Sequence, residues 1–158
     1  MTMSKMVLLD TSILVRERVS KDPLHLLTTD AVALLIQHDW MLYLVPQCLI
    51  EFWSVATRPV DARGGLGLSH AEALAALEEF IVGRILLPEP ANLFDLWYSI
   101  IKTHAVSGRQ VWDARLVASM QAYGISYLLT CNPADFERYT GIRAFHPERI
   151  HDLLVLGD

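Results

Sequence analysis

The strongest constraint in the sequence is a series of short, wholly apolar runs separated by helix-forming segments. Met6 to Leu9, Met41 to Val45 and the middle of Ser126 to Cys131 are too short for buried helices. They also lack the alternation of a half-exposed strand, so they predict strands covered on both faces. Ile85 to Leu87 and Ile142 to Phe145 predict two more. The helical segments carry their own punctuation. Thr11 to Glu17 predicts a short helical turn, and Asp22-Pro23 a capped start for a helix to about His38. Pro46 starts a helix from Gln47 to about Thr57, and Ser69-His70-Ala71-Glu72 is a capping box opening a helix to Val82. Pro90 opens a helix to about Val106, and another runs from Arg109 to Tyr123 with Gly124 at its C-cap. Pro133 to Tyr139 predicts a short helix, and Arg58 to Leu68, with Pro59, Gly64, Gly65 and Gly67, a flexible loop. Strands that alternate with helices in this way predict an α/β fold, a three-layer α/β/α sandwich around a central, mainly parallel sheet. Ligands of such sheets bind beyond the carboxyl ends of the strands.

The length of 158 residues suits one domain spanning 1–158. Apolar residues make up 53% and charged residues 20%, with a mean hydropathy of +0.31, which excludes disorder and raises the question of a membrane. The longest uncharged run, Leu116 to Ala134, contains Gln121, Gly124, Ser126, Thr130, Asn132 and Pro133. It therefore reads as helix, turn and strand rather than a membrane span. The apolar residues before Asp10 are too few for a signal-peptide core, and a cytoplasmic protein is expected. Thirteen basic residues against 18 acidic ones leave a net charge of −5, which argues against gripping nucleic acid by bulk charge alone. Cys48 and Cys131 sit in apolar runs without metal-ligand spacing, and the six histidines show no zinc pattern.

Four acids stand out by position. Asp10 follows the first strand directly, and Asp135 follows the fourth by a few residues, so both belong to the carboxyl edge of the sheet. Glu51 is embedded in Cys-Leu-Ile-Glu51-Phe-Trp, and Asp113 heads a column continued by Leu116, Val117 and Met120. A carboxylate in such surroundings costs several kcal/mol unless it is paired or bound to a cation. Each has a plainer reading as well. Asp10 can serve as an N-cap, and Asp113 can favour a helix dipole or pair with Arg109. Glu51 can pair with Arg58, and Asp135 can stabilise the helix after Pro133. Taken together, four clustered carboxylates call for a hard divalent cation, Mg²⁺ or Mn²⁺, held by oxygen ligands. Such a cation lowers the pKa of a bound water and offsets charge on a phosphodiester.

Leu-Leu-Asp10-Thr-Ser12, Glu51-Phe-Trp, Val-Trp-Asp113-Ala-Arg-Leu-Val-Ala and Leu-Leu-Thr130-Cys-Asn132-Pro-Ala-Asp135-Phe, in that order, resemble the PIN domain. More narrowly they resemble the VapC-type toxins of type II toxin–antitoxin pairs. The resemblance covers nearly the whole chain and implies a metal-dependent endoribonuclease that hydrolyses RNA. It assigns Asp10, Glu51, Asp113 and Asp135 to the acidic, metal-holding pocket, with Asp135 as an outer or second-site ligand. Ser12 and Thr130 match small hydroxyl positions that hydrogen-bond the acids or bound waters. Asn132 stands where some members have another acid, which leaves less charge for a second metal. The loop after Arg58 and the helix from Ser69 are longer than in compact members.

An acidic nuclease needs a basic rim. Arg16, Arg18 and Lys21 follow the first motif, Arg58 and Arg63 lie after the Glu51 helix, and Arg109 and Arg115 flank Asp113. Linear proximity makes Arg16, Arg18, Arg58, Arg109 and Arg115 candidates for RNA binding, and solvated surface charge is the plainer reading. Bases could stack on Trp40 or Trp53, but such residues are more often core, and core is the expectation for Trp53. The resemblance further implies a homodimer silenced by a VapB-like antitoxin, whose C-terminal segment sets a basic side chain among the carboxylates. A dehalogenase-like phosphatase would need a second acid where Ser12 stands. A receiver-type phosphoacceptor would need paired acids at the first strand. The serious alternative is a catalytically silent PIN module that binds RNA or a partner protein.

Overall fold

The computed structural model describes residues 4–158. The central strand β1 (Met6–Leu9) has Val7, Leu8 and Leu9 fully buried, as an unbroken apolar run between two helical layers requires. β2 (Met41–Leu44), β3 (Ile85–Leu86), β4 (Tyr127–Leu129) and β5 (Arg143–Phe145) join it in the order β3-β2-β1-β4-β5. Every pairing is parallel, with Val7 opposite both Leu42 and Tyr127. The helices are α1 (Thr11–Arg18), α2 (His25–Gln37), α3 (Pro46–Thr57), α4 (His70–Ile81), α5 (Leu93–His104), α6 (Gln110–Tyr123) and α7 (Ile150–Leu154). Right-handed crossovers put α1 to α4 over one face and α5 with α6 over the other. The neighbours agree: α1 packs on α2 and α3, α3 on α4, α7 on α2, and α5 on α6. This is the expected α/β/α sandwich.

From β1 the chain moves outward to β2 and β3, then returns across the sheet to β4. The direction of winding therefore reverses between β1 and β4, and a crevice opens where their carboxyl ends diverge. Asp10 and Thr130 stand at that point. The Asp10 N–H donates to the Leu129 carbonyl at 3.0 Å and the Thr130 N–H to the Phe145 carbonyl at 3.0 Å. Both residues are thus tied to the sheet by their backbones.

The predicted elements are present, with physical reasons for their shifts. α2 begins at His25 because Asp22 Oδ1 accepts the Leu24 N–H at 2.8 Å, capping a turn instead of the helix itself. The helix predicted from Pro133 is a tight 3₁₀ turn, Pro133–Phe136. Past Phe145, where no pattern predicts an element, a 3₁₀ turn and α7 bury Ile150, Leu153 and Leu154. Trp40 is core, edge-on to Tyr127 at 5.7 Å, and Trp53 is half-buried against His70. Neither lies open for a base, in line with the core reading rather than the stacking one.

The segment after α3 differs most from expectation. In place of a flexible loop, Leu66 and Gly67 donate to the carbonyls of Val55 and Arg58, and Leu68 donates to that of Ala56. Gly65 is buried where an added Cβ would stand 2.2 Å from the Pro59 carbonyl oxygen. The loop can press onto the end of α3 only because that position has no side chain. It then hands the chain to α4, where both hydrogen bonds of the Ser69–Glu72 capping box form.

Gly65→Ala should lower stability by on the order of 2–4 kcal/mol, since backbone and not a flexible side chain must yield. Ser69→Ala should lower it by about 1 kcal/mol. Urea unfolding followed by circular dichroism checks both, and equal midpoints for Gly65→Ala and wild type would contradict the close approach.

Candidate active site

Asp10 occupies the N-cap position of α1 but makes no side-chain cap. Its Oδ2 instead accepts two hydroxyls, from Ser12 Oγ and Thr130 Oγ1, each at 2.8 Å. Those hydroxyls are themselves aimed: Ser12 Oγ accepts the Cys131 N–H at 2.9 Å, and Thr130 Oγ1 accepts the Asn132 N–H at 3.1 Å. A hydroxyl whose lone pair is occupied by a backbone donor has its proton left to give, so both point at the carboxylate. Oδ1 takes no protein donor among the described residues.

Glu51 is held in the same way by neutral groups. Thr11 Oγ1 donates to Oε2 at 2.9 Å and Gln47 Nε2 to Oε1 at 2.9 Å. Arg58 turns to Ser54 and the Arg63 carbonyl instead, so the plainer reading of Glu51 as its ion-pair partner gives way to uncharged donors. The second hydrogen of Gln47 Nε2 reaches the Trp112 carbonyl at 2.8 Å, and its Oε1 accepts Arg115 Nη1 at 3.0 Å. Arg115 in turn donates to Glu89 at 2.6 Å. These bonds span the cleft between α3 and α6.

Asp113 faces that cleft from the first turn of α6, half-buried. Burial, followed by the charges of Asp135, Asp10 and Glu51, pushes its pKa from 3.8 up to about 6, and Arg138 opposes this only in part. The charges of the other three acids picked out in the sequence thus all reach Asp113. Asp135 is exposed on the 3₁₀ turn, and Asn132 is exposed beside it. Among the described residues no three His, Cys, Asp or Glu side chains close around a common point, and Glu51 and Asp113 line an open cleft rather than a closed cage. The donor set still suits a hard cation: it is all oxygen, mutually repelling, and two members are pre-aimed without an ion pair.

A cleft of about 620 Å³ is lined by Thr11, Gln47, Glu51, Arg58, Arg109 and Asp113, among others. It adjoins a second of about 470 Å³, walled by Leu93, Phe94 and Trp97, and Trp112 and Arg115 border both. Trp112 is 57% exposed on the shared rim. Of the candidate arginines, Arg58, Arg109 and Arg115 border the acidic cleft. Arg16 lies in a neighbouring hollow with Ser12 and Asp22, and Arg18 turns to a separate one with Glu17, His25 and Glu72. Both cysteines are free.

Thr11, Gln47 and Trp112 were not singled out in the sequence. A signal for Gln47 existed: it precedes Glu51 by one helical turn on an otherwise apolar helix, and such a pair shares a face.

No protein-family model matches the chain, and no curated protein does. Solved structures do. The DNA-bound VapBC of Salmonella typhimurium is 18% identical, with a TM-score of 0.67 over 92% of this chain and 99% of that one. VapBC2 of Rickettsia felis, bound to a promoter DNA fragment, is 13% identical, with a TM-score of 0.66 over 89% and 98%. Mycobacterium tuberculosis VapC20, a toxin that cleaves the sarcin-ricin loop, is 19% identical, with a TM-score of 0.58 over 77% and 86%. The chain has the PIN-like fold of these VapC proteins.

The raised pKa of Asp113 makes a prediction about the cation-free protein. Between about pH 4 and 6 the folded chain holds a proton that the unfolded chain has released, so stability falls as pH rises through that window. Asp113→Asn should flatten this fall and leave the variant more stable than wild type at pH 7, by on the order of 1 kcal/mol after solvent screening. Melting temperatures from pH 3.5 to 7.5 in EDTA check this, and parallel profiles would contradict it.

Proposed function

We propose that the chain is a divalent-cation-dependent endoribonuclease, the VapC-type toxin of a toxin–antitoxin pair. The observation that carries this reading is that the charges of Asp10, Glu51 and Asp135 all bear on Asp113, with Asp10 aimed by Ser12 and Thr130 where the sheet reverses its winding. A protein gains nothing in stability from four such charges, and a cation with an anionic substrate is what makes sense of them. The VapC fold supports the same reading.

Asp10, Glu51 and Asp113 are the residues that would hold Mg²⁺ or Mn²⁺, with Asp135 as outer ligand. When bound, the cation supplies Lewis-acid stabilisation of the phosphate and a more acidic water. The chain's own groups do the rest. Ser12 and Thr130 keep Asp10 aimed, Asn132 contributes its N–H to Thr130, and Thr11 with Gln47 keeps Glu51 aimed. Arg58 and Arg109 at the cleft wall suit the phosphates flanking the cut, with Arg115 and Arg16 further out.

The partners follow from the same surface. Ile50, Phe94, Tyr98 and Trp112 are exposed around the two clefts, an apolar margin of the kind that protein partners cover. It supports a homodimer and a VapB-like antitoxin laid along the clefts with a basic side chain at the acids. No helix among the described residues is long and apolar enough to cross a membrane, and the proposed substrate puts the site of action in the cytoplasm. Asn132, in place of a further acid, favours the second reading, a module that binds RNA or a partner without cutting.

Asp10→Asn should reduce Mg²⁺- or Mn²⁺-dependent cleavage of RNA by at least about 10³-fold while the chain still folds, and EDTA should abolish wild-type cleavage. Gel analysis of labelled RNA reads both. Binding without cation-dependent cleavage by the wild type would leave the silent module as the answer.

A further inference from the structure

We propose that Gln47 is the positioning residue of the acidic site, fixing Glu51 for a divalent cation while holding the turn that carries Asp113. The inference rests on the nuclease reading above and deepens it. Gln47 is only 6% exposed, yet each of its polar hydrogens and its amide oxygen is used. A buried amide satisfied on every side has one orientation, because any rotation strands a polar atom. Glu51 inherits that definition. Each of its oxygens receives one donor, from Gln47 and from Thr11, and each keeps a further lone pair for another ligand.

The same amide nitrogen holds the carbonyl of Trp112, the residue before Asp113. One side chain on α3 therefore sets the distance between the two helices that contribute acids from opposite walls. Arg115, donating to the amide oxygen, polarises the amide and strengthens its N–H bonds, and Glu89 balances the arginine's charge outside the site. The residue type matters. A lysine at position 47 would neutralise Glu51 with an ion pair, and a glutamate would add a further negative charge. A neutral donor restrains the carboxylate and leaves its charge for the cation.

The test uses the full chain with Gln47→Met, which keeps the volume and removes the hydrogen bonds. Gln47→Asn keeps the amide but is one methylene too short to reach both partners. Mn²⁺ affinity is measured by electron paramagnetic resonance of free Mn²⁺, beside the Mn²⁺ dependence of RNA cleavage and the melting temperature. Each variant should bind Mn²⁺ about 10–100-fold more weakly. The Mn²⁺ concentration for half-maximal cleavage should rise by the same factor, and saturating Mn²⁺ should restore most of the rate. Wild-type affinity in folded variants would overturn the proposal, as would a loss of cleavage that Mn²⁺ does not repair, because that is the mark of a purely structural role. Should Gln47→Met fail to fold, Gln47→Asn decides by the same criteria. A wild-type protein that binds no Mn²⁺ would instead overturn the nuclease reading, and this proposal with it.

Discussion

Mutual repulsion among carboxylates is the constraint around which this molecule is organised. The charges of Asp135, Asp10 and Glu51 all bear on Asp113, and the only cationic side chain that lowers Asp113 among the leading influences is Arg138. Elsewhere the chain follows the usual practice of pairing its partly buried charges: Glu17 meets Arg84 at 2.5 Å, Arg16 lies 3.9 Å from Asp22, and Arg115 meets Glu89. The cleft departs from that practice although Arg58 and Arg109 are within its walls. Sites that leave such repulsion uncompensated are commonly functional, because stability alone would remove it.

The restraint is applied unequally. Asp10 and Glu51 are each held by two neutral donors, Ser12 and Thr11 from the first turn of α1, Thr130 from the end of β4 and Gln47 from α3. Asp135 sits exposed on a short 3₁₀ turn, and Asp113 carries the burden of burial and of its neighbours' charges. The first pair has a defined geometry and the second has room to adjust. A hard cation needs some fixed oxygens and some yielding ones, because its hydration is shed reluctantly and its ligands must close on what remains.

What the sequence showed, and what it hid, divides along the range of the interactions. Runs such as Met6–Leu9 and caps such as Ser69–Glu72 are local, and their elements appear where the pattern puts them. The acids were readable for a similar reason: a strand end, a helix N-terminal turn and an apolar stripe each fix a carboxylate relative to its own element. The cross-links between elements were not readable. Gln47 meets the Trp112 carbonyl 65 positions away, and Thr130 meets Asp10 across 120. The loop at 58–68 misled because glycine marks both flexibility and close approach. Only the Pro59 carbonyl lying against Gly65 tells which applies. Trp40 and Trp53 carried a related ambiguity, since an indole is equally at home in a core and on a binding face, and both pack into or against the core.

The net charge of −5 first argued against an anionic ligand. Set apart Asp10, Glu51, Asp113 and Asp135, and the remaining acids and bases nearly balance. The placement of the arginines then matters more than their number. Arg16 is near Asp22, Arg115 is committed to Glu89 and Gln47, and Arg18 lies in another hollow. Arg58 and Arg109 remain on the cleft wall without a carboxylate partner among the described residues. Two such charges cannot draw a polyanion toward four carboxylates by long-range attraction, since the local field is negative. They can fix the register of one already anchored. In the proposed nuclease the anchor is therefore the cation, and attraction to substrate should depend on cation loading before it depends on any single arginine.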